Sequence, residues 1–317
     1  MRILAVYNIS GLDIDEKGNI SVFVNVKDFG AKGDGVTDDS STIQSALSSL
    51  SASGGVIYFP YGTYLIKTPV LFYSNQILLF EPGATILQGA SINSLMRNYS
   101  TTSIGGYDGT HDSMIIGATF DGGSYTTNNT LLGFCHSKNI IVKDCKFKNA
   151  YGDWHDLEIN SSQYVLVENC DFSGSRKTGQ NGENLQFDGA GNTSYYPWGD
   201  IKIDNTICQY IEIKGCHFHD NTTSPGIGNH SNMAHEFVRI HDCTFDGNTG
   251  SRGAMNFVAL ANNIDIYDNT FNGCTTGIGS SGTTYYIHDN RFVGATTAIS
   301  GSASVAHANM INGTYTA

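Results

Sequence analysis

From residue 137 onward the chain repeats one short pattern of apolar and polar positions. The copies read SKNIIVKDCKFKN (137–149), SQYVLVENCDFSG (162–174), CQYIEIKGCHFHD (208–220), HEFVRIHDCTFDG (235–247), ANNIDIYDNTFNG (261–273) and GTTYYIHDNRFVG (282–294). Apolar and polar residues alternate within each copy, which predicts a half-buried strand. A weaker copy, HDSMIIGATFDGG, spans 111–123. The closing Phe recurs at 120, 147, 172, 218, 245, 271 and 292, in steps of 27, 25, 46, 27, 26 and 21. A period in the twenties with one such strand per copy signals a β-solenoid, one coil per repeat. The L-x-x-L-x-L core of leucine-rich repeats is missing, and no copy carries a helix-length apolar pattern.

Equivalent residues of successive coils then stack about 4.8 Å apart. Cys145, Cys170, Cys216 and Cys243 form one column, continued by Asn269 and Asn290, and the Phe residues form another. Cysteine is a good small apolar filler, so a buried reduced ladder is expected. Disulfides between rungs suit stacked, parallel Cβ vectors poorly. The step of 46 predicts one coil with a long outward loop, GAGNTSYYPWGD (189–200). The nearby DIKIDNT (200–206) alternates but has no following Phe.

The densest acidic stretch is KGDGVTDDSSTIQSAL (32–47). Behind it Ile43, Ala46, Leu47 and Leu50 fall at helical spacing. Thr37 or Asp38 suits an N-cap, and Asp39 adds favourable charge to the first turn. GGVIYFPYGTYLI (54–66) then reads as strand, turn, strand. A helix followed by strands would cover the open end of a solenoid, which needs a cap. A calcium loop of EF-hand type would need D-x-[DN]-x-[DN]-G and a twelfth-position Glu, which are absent. The expected organisation is a connector over 1–23 and a right-handed, single-stranded parallel β-helix over 24–317, capped at about 34–66.

Composition narrows the function classes. The 317 residues hold 37 Gly and only 5 Pro, which fits many tight turns between short strands. A net charge of -12 argues against a nucleic-acid groove. No apolar run approaches a membrane span. The opening MRILAVYNISGLDIDEKG is a poor signal peptide. The ends of the sequence, with no capping helix over 303–317, suit a chain excised from a longer one or assembled through its sides.

Candidate chemistry lies on the strands just before the repeat signature: DLEINSS (156–162), NLQFDGA (184–190), PGIGNHS (225–231) and AMNFVAL (254–260). Alternation points Leu157, Ile159, Leu185, Phe187, Ile227, Met255 and Phe257 inward. Glu158, Asn160, Gln186, Asp188, His230 and Asn256 then face outward. Glu158, Asp188 and His230 fall on three successive coils, with Asp188 beside His230 and Glu158 roughly 8 Å away diagonally. These are the candidate catalytic residues, each able to shift the others' pKa. Asn160, Gln186 and Asn256 are candidate substrate contacts. The inserted loop offers Tyr195, Tyr196 and Trp198 as flat rings for a sugar. His155, Asp156 and Glu183 either extend the site or hydrogen-bond the turns. Arg176 and Lys177 either meet an acidic sugar or belong to a solvated loop. His217, His219 and His241 read as turn or surface positions, not ligands. A His/Asp metal centre near His230 lacks a recognised ligand spacing. The expected chemistry requires no cofactor, and calcium stays open on this acidic face.

The stretch VNVKDFGAKGDGVTDDSSTIQSAL, followed by GGVIYFPYGTYLI, resembles the entry segment of the pectate lyase superfamily. The repeats extend the resemblance over roughly 24–317. It implies a polysaccharide ligand and an extracellular or virion-associated place, since the superfamily includes polysaccharide-degrading enzymes and phage tail proteins, the latter typically homotrimers. It does not fix the reaction, because lyases, hydrolases and binders share the fold. An acidic strand, an Asp strand and a Gly-rich strand with His are similar to the polygalacturonase layout. That family's Asn-Thr-Asp, Asp-Asp, Gly-His-Gly and Arg-x-Lys motifs are absent from these strands. The leading expectation is a depolymerase of an acidic bacterial-surface polysaccharide, with hydrolysis slightly favoured. The alternatives are β-elimination on a uronate and non-catalytic glycan binding in a tail fibre. Outward strand positions from 156 on carry no Arg or Lys, which weighs against elimination with a cationic partner.

Overall fold

The computed structural model describes residues 22–176, 182–191, 200–230, 233–257, 261–280, 285–301 and 305–315. Among these residues the chain winds through three parallel sheets of 11, 12 and 9 strands, here called I, II and III. Each coil visits them in that order. One coil runs Lys138–Lys143 in sheet I, Lys146–Lys148 in sheet II and Leu157–Asn160 in sheet III. The expected parallel β-helix is therefore present.

The repeat signature forms the corner between sheets I and II. Asp144, Asn169, Gly215, Asp242, Asp268 and Asp289 sit there in the left-handed region, with φ between 53° and 62°. Asp, Asn and Gly are the residue types that visit this region at little cost. The next residue turns inward, giving the column Cys145, Cys170, Cys216, Cys243, Asn269 and Asn290. All are buried, and the cysteines are free thiols. Two residues on, the Phe side chains stack from Phe120 to Phe292 with centroids 4.6–5.2 Å apart.

The step of 46 is one coil. Val165 pairs directly with Ile211, and Phe172 stacks on Phe218. The extra residues leave after the sheet III strand Leu185–Asp188 and return at the sheet I strand Gln209–Lys214. Tyr195, Tyr196, Trp198 and Lys177 lie outside the described residues, as does most of the predicted connector.

At the N-terminal end, helix α1 (Ser40–Ser49) buries Ile43, Ala46 and Leu47 over the first coils. Its N-cap is Asp39, not Thr37 or Asp38. The Asp39 carboxylate makes no cap bond; it turns back to accept from Lys32 N and Gly33 N at 2.7 and 2.9 Å. Asp38 accepts from Ser40 N instead. The acidic stretch thus closes its own turn at the start of the solenoid.

Candidate active site

Sheet III builds the site from four strands in register. Glu158 pairs with Gln186, Gln186 with Gly228 and Gly228 with Asn256. Asn160 pairs with Asp188. The inward residues Leu157, Ile159, Leu185, Phe187, Ile227, Met255 and Phe257 are buried as expected. The other face departs from expectation. Glu158, Asn160, Asp188 and Glu183 are wholly buried and Gln186 nearly so. Alternation tells which face a residue takes, not whether another segment covers that face. Only His230, with 18% of its side chain exposed, and the half-buried Asn256 reach outward.

Glu158 sits in the deepest position. Thr130 Oγ1 donates to Oε2 at 2.8 Å and Asn160 Nδ2 to Oε1 at 2.6 Å. Burial pushes its pKa from 4.5 up to about 8, and the nearby Asp188 adds to the rise. The hydrogen bonds and His230 pull the other way without reversing it. Glu158 is thus a carboxylic acid at neutral pH. Gly133 stands opposite it on the preceding coil.

Asp188 is arranged as an acceptor. Gly189 N donates to Oδ1 at 2.9 Å, and His230 N donates to Oδ2 at 3.1 Å. Gln186 Nε2 adds a third bond at 3.2 Å. His235 Nε2 lies 3.6 Å from Oδ1. Its Nδ1 accepts from Cys208 N at 3.1 Å, so the ring proton is on Nε2 and faces Asp188. His235 opens a sheet I strand and looks from sequence like any other repeat residue.

The imidazole of His230 faces Glu183, not Asp188. Its Nε2 lies 2.8 and 2.7 Å from the two Glu183 oxygens. Asp188 holds only the His230 backbone. Glu183 precedes its strand and reaches across Gly228, where a Cβ would meet its Cγ at 2.8 Å and Asn256 O at 2.6 Å. That contact explains the glycine. Burial works against a charge on His230, but the Glu183 carboxylate outweighs it and raises the pKa. Gln186 Nε2 lies 3.1 Å from His230 Nδ1, the arrangement for a neutral ring. A second proton on Nδ1 requires the Gln186 amide to turn its unpartnered Oε1 onto the ring.

His155 joins this group, with Nδ1 3.6 Å from Glu183 Oε2 and its ring 5.7 Å from that of His230. Asp156 does not. It accepts from Ser175 Oγ at 2.6 Å and from Asn184 Nδ2, and so fastens the turn below the strands. Arg176 is also structural, donating to the carbonyls of Gly123, Tyr125 and Asn149. Arg97, two coils before Glu158 in the same column, bonds Asp200 at 3.0 Å. It supplies a cation that the strands after 156 lack. Asn160 Oδ1, Gln186 Oε1 and Asn256 Nδ2 are buried atoms without a hydrogen-bond partner among the described residues. His155, Glu183 and His230 also offer a set of ligand atoms within 4.8 Å of one another.

Comparison with known proteins places the chain in a family. A family model described as "Rhamnogalacturonase A/epimerase, pectate lyase-like" matches residues 23–205, more than half of the chain. Among curated proteins, the plasmin and fibronectin-binding protein A of Streptococcus pneumoniae is 34% identical over 48% of this chain and 24% of its own length. The pre-neck appendage protein of Bacillus phage phi29 is 29% identical over 62% of this chain and 23% of its own. The chain thus spans about a quarter of each. The crystal structure of the pneumococcal adhesin PfbA superposes with a TM-score of 0.68 at 23% identity, covering 86% of this chain and 72% of that one. The exopolygalacturonase of Thermotoga maritima gives 0.58 at 16%, over 87% and 74%. At these identities the structures show the shared fold alone, and the matched sequence model carries the assignment. The chain belongs to the rhamnogalacturonase A/epimerase, pectate lyase-like family of parallel β-helix proteins.

Proposed function

We propose that this chain depolymerises an acidic bacterial-surface polysaccharide by hydrolysing its glycosidic bonds over sheet III. The observation that carries this reading is the contrast between two carboxyls. Glu158 keeps its proton to about pH 8, whereas Asp188 is ringed by donors. Environments that separate two acids in this way assign a general acid and its partner. Glu158 protonates the departing glycosidic oxygen, and Asp188 orients and activates the attacking water. One coil and two residues apart, their Cα atoms are roughly 8 Å from each other; inversion requires their carboxyls to stand about 6.5–9.5 Å apart with a water between them. The His230–Glu183 pair sits at the exposed edge, where it can hold the sugar. Asn160, Gln186 and Asn256 offer unpartnered polar atoms of the kind that sugar hydroxyls satisfy. Glu158 has no exposed surface, so cleavage requires the cleft to open beside His230.

That burial also favours a second reading, glycan binding without cleavage, as does the resemblance to a surface adhesin and a phage appendage protein. In either case the chain acts at a cell or virion surface, in the manner of a tail fibre or as a homotrimer. Incubation with a panel of capsular, exopolysaccharide and pectic polymers, with mass spectrometry of the products, separates the readings. Fragments that have gained water support hydrolysis. An ultraviolet-absorbing unsaturated uronate end sinks it in favour of elimination. A polymer that binds but stays intact leaves the binding reading. The reaction needs no cofactor, so a chelator should leave the rate unchanged; loss of rate on chelation would point to calcium.

A further inference from the structure

We propose a divalent transition-metal site on the outer face of sheet II, held by Asp171, His217 and His219. His217 and His219 lie two residues apart where the chain leaves the sheet II strand His217–Phe218, so both rings emerge on the same side. The rings stack with centroids 4.3 Å apart. Asp171 pairs with His217 on the preceding coil.

Each imidazole has one nitrogen already committed. His217 Nε2 lies 2.7 Å from Asp246 Oδ2, and His219 Nδ1 lies 2.8 Å from Asp220 Oδ2. A carboxylate only accepts, so each of those nitrogens carries its proton. In the neutral rings the remaining lone pairs are on His217 Nδ1 and His219 Nε2, and both face Asp171. Asp171 Oδ2 lies 3.8 Å from the first and 3.1 Å from the second. Burial opposes a second proton on His219, but Asp220 and Asp171 outweigh it and raise the pKa, so a proton and a metal ion compete for the same three atoms. A tetrahedral ion with bonds near 2.0–2.1 Å holds its ligand atoms about 3.3 Å apart, between those two distances. A carboxylate behind each metal-binding histidine is the arrangement that fixes the ring's tautomer and raises its basicity. Asp246 is itself oriented by Asn272 Nδ2 at 2.7 Å. Lys146 stands on the far side of Asp171 in the same column, away from the rings.

Two nitrogens, one carboxylate oxygen and room for water suit Zn²⁺, Ni²⁺ or Cu²⁺ better than calcium. The ion would bridge the two coils between which the long insertion departs and returns. It is separate from the sheet III cleft, so the proposal stands or falls independently of catalysis.

The test is calorimetric titration of the tag-free chain with ZnCl₂. One zinc per chain is expected, with a rise in melting temperature. The H217A and H219A variants should each weaken binding at least tenfold, and D246N by about tenfold through the ring it orients. H230A removes a ligand from the other His-Glu-His group and should leave this site unchanged. Circular dichroism confirms that the variants keep the fold, which partly exposed side chains permit. The proposal is overturned if the intact chain takes up no zinc, or if the H217A/H219A double variant binds it with unchanged affinity and stoichiometry.

Discussion

Two polar seams run along this solenoid, and they treat their hydrogen bonds differently. At the corner between sheets I and II, Asn269, Asn290 and Asn309 are buried one above another with complete partnerships. Asn290 Nδ2 donates to Ile266 O and His288 O, and its Oδ1 accepts from Asn269 N and Asn269 Nδ2. Asn309 repeats the pattern one coil on. On sheet III the residues of the column change identity at every coil: Glu158, Gln186, Gly228 and the half-buried Asn256. Gln186 Oε1 and Asn256 Nδ2 find no partner among the described residues. Buried polar groups are costly unless bonded. A seam that repeats and satisfies itself is scaffold, whereas one that varies and leaves atoms open is kept for something else to complete.

The largest expected effect breaks the second seam chemically. Glu158→Gln keeps the shape, with the amide oxygen accepting from Asn160 Nδ2 and the amide nitrogen donating to Thr130 Oγ1, whose bond reverses, but it removes the proton donor. Depolymerisation should fall by about 10²–10⁴-fold, measured as reducing ends released per unit time. Full activity in this variant would remove Glu158 from the mechanism. The same variant should gain stability in a pH-dependent way. Below pH 4.5 the Glu158 carboxyl is protonated in both folded and unfolded chains. Above it the unfolded chain ionises while the folded chain holds its proton up to about pH 8. The parent therefore loses stability as pH rises through that window and levels off beyond it. The stability advantage of Glu158→Gln should grow from nothing near pH 4 to about 3–5 kcal/mol at pH 8. Paired melting curves across pH check it, and a constant difference would mean that Glu158 ionises freely when folded.

The first seam should fail through stability alone. Asn290→Leu matches the volume but strands Asn269 N–H and the carbonyls of Ile266 and His288. Loss of about 2–4 kcal/mol is expected in urea unfolding, with glycan cleavage at permissive temperature unchanged. A loss below about 0.5 kcal/mol would show that the ladder relaxes around the change.

This division also marks what the sequence made legible. The coil period, the Cys–Asn and Phe columns, the single coil across the insertion and the inward set of sheet III all follow from local alternation, which the backbone obeys whatever surrounds it. The membership of Glu158, Asp188 and His230 on neighbouring coils follows from register. Their burial does not, since it depends on side chains brought in from other strands and turns, such as Thr130, Glu183 and His235. The His230–Glu183 contact was hidden for a related reason. Glu183 lies before its strand and reaches its partner only because Gly228 leaves a gap. His235 and Thr130 touch the site from other elements, and no spacing announces them. The helix start was misplaced by one or two residues because Asp39 spends its carboxylate on the preceding turn.

The smallest expected effect is the sharpest comparison of the two seams. Asn256 occupies the sheet III column after Gly228, and its Nδ2 has no partner among the described residues. Removing it forfeits no Nδ2 hydrogen bond to the described residues. Asn256→Ala should therefore change unfolding stability by less than about 0.5 kcal/mol. Binding is another matter, because a sugar hydroxyl that would have met Nδ2 loses one neutral hydrogen bond, about 0.5–1.5 kcal/mol. Affinity for the responsive polysaccharide should fall roughly two- to tenfold, read by titration with the oligosaccharide products. A stability loss as large as that of Asn290→Leu, with affinity unchanged, would make sheet III a second structural ladder. A loss of affinity at constant stability would mark Asn256 as one of the atoms that the fold leaves open for its ligand.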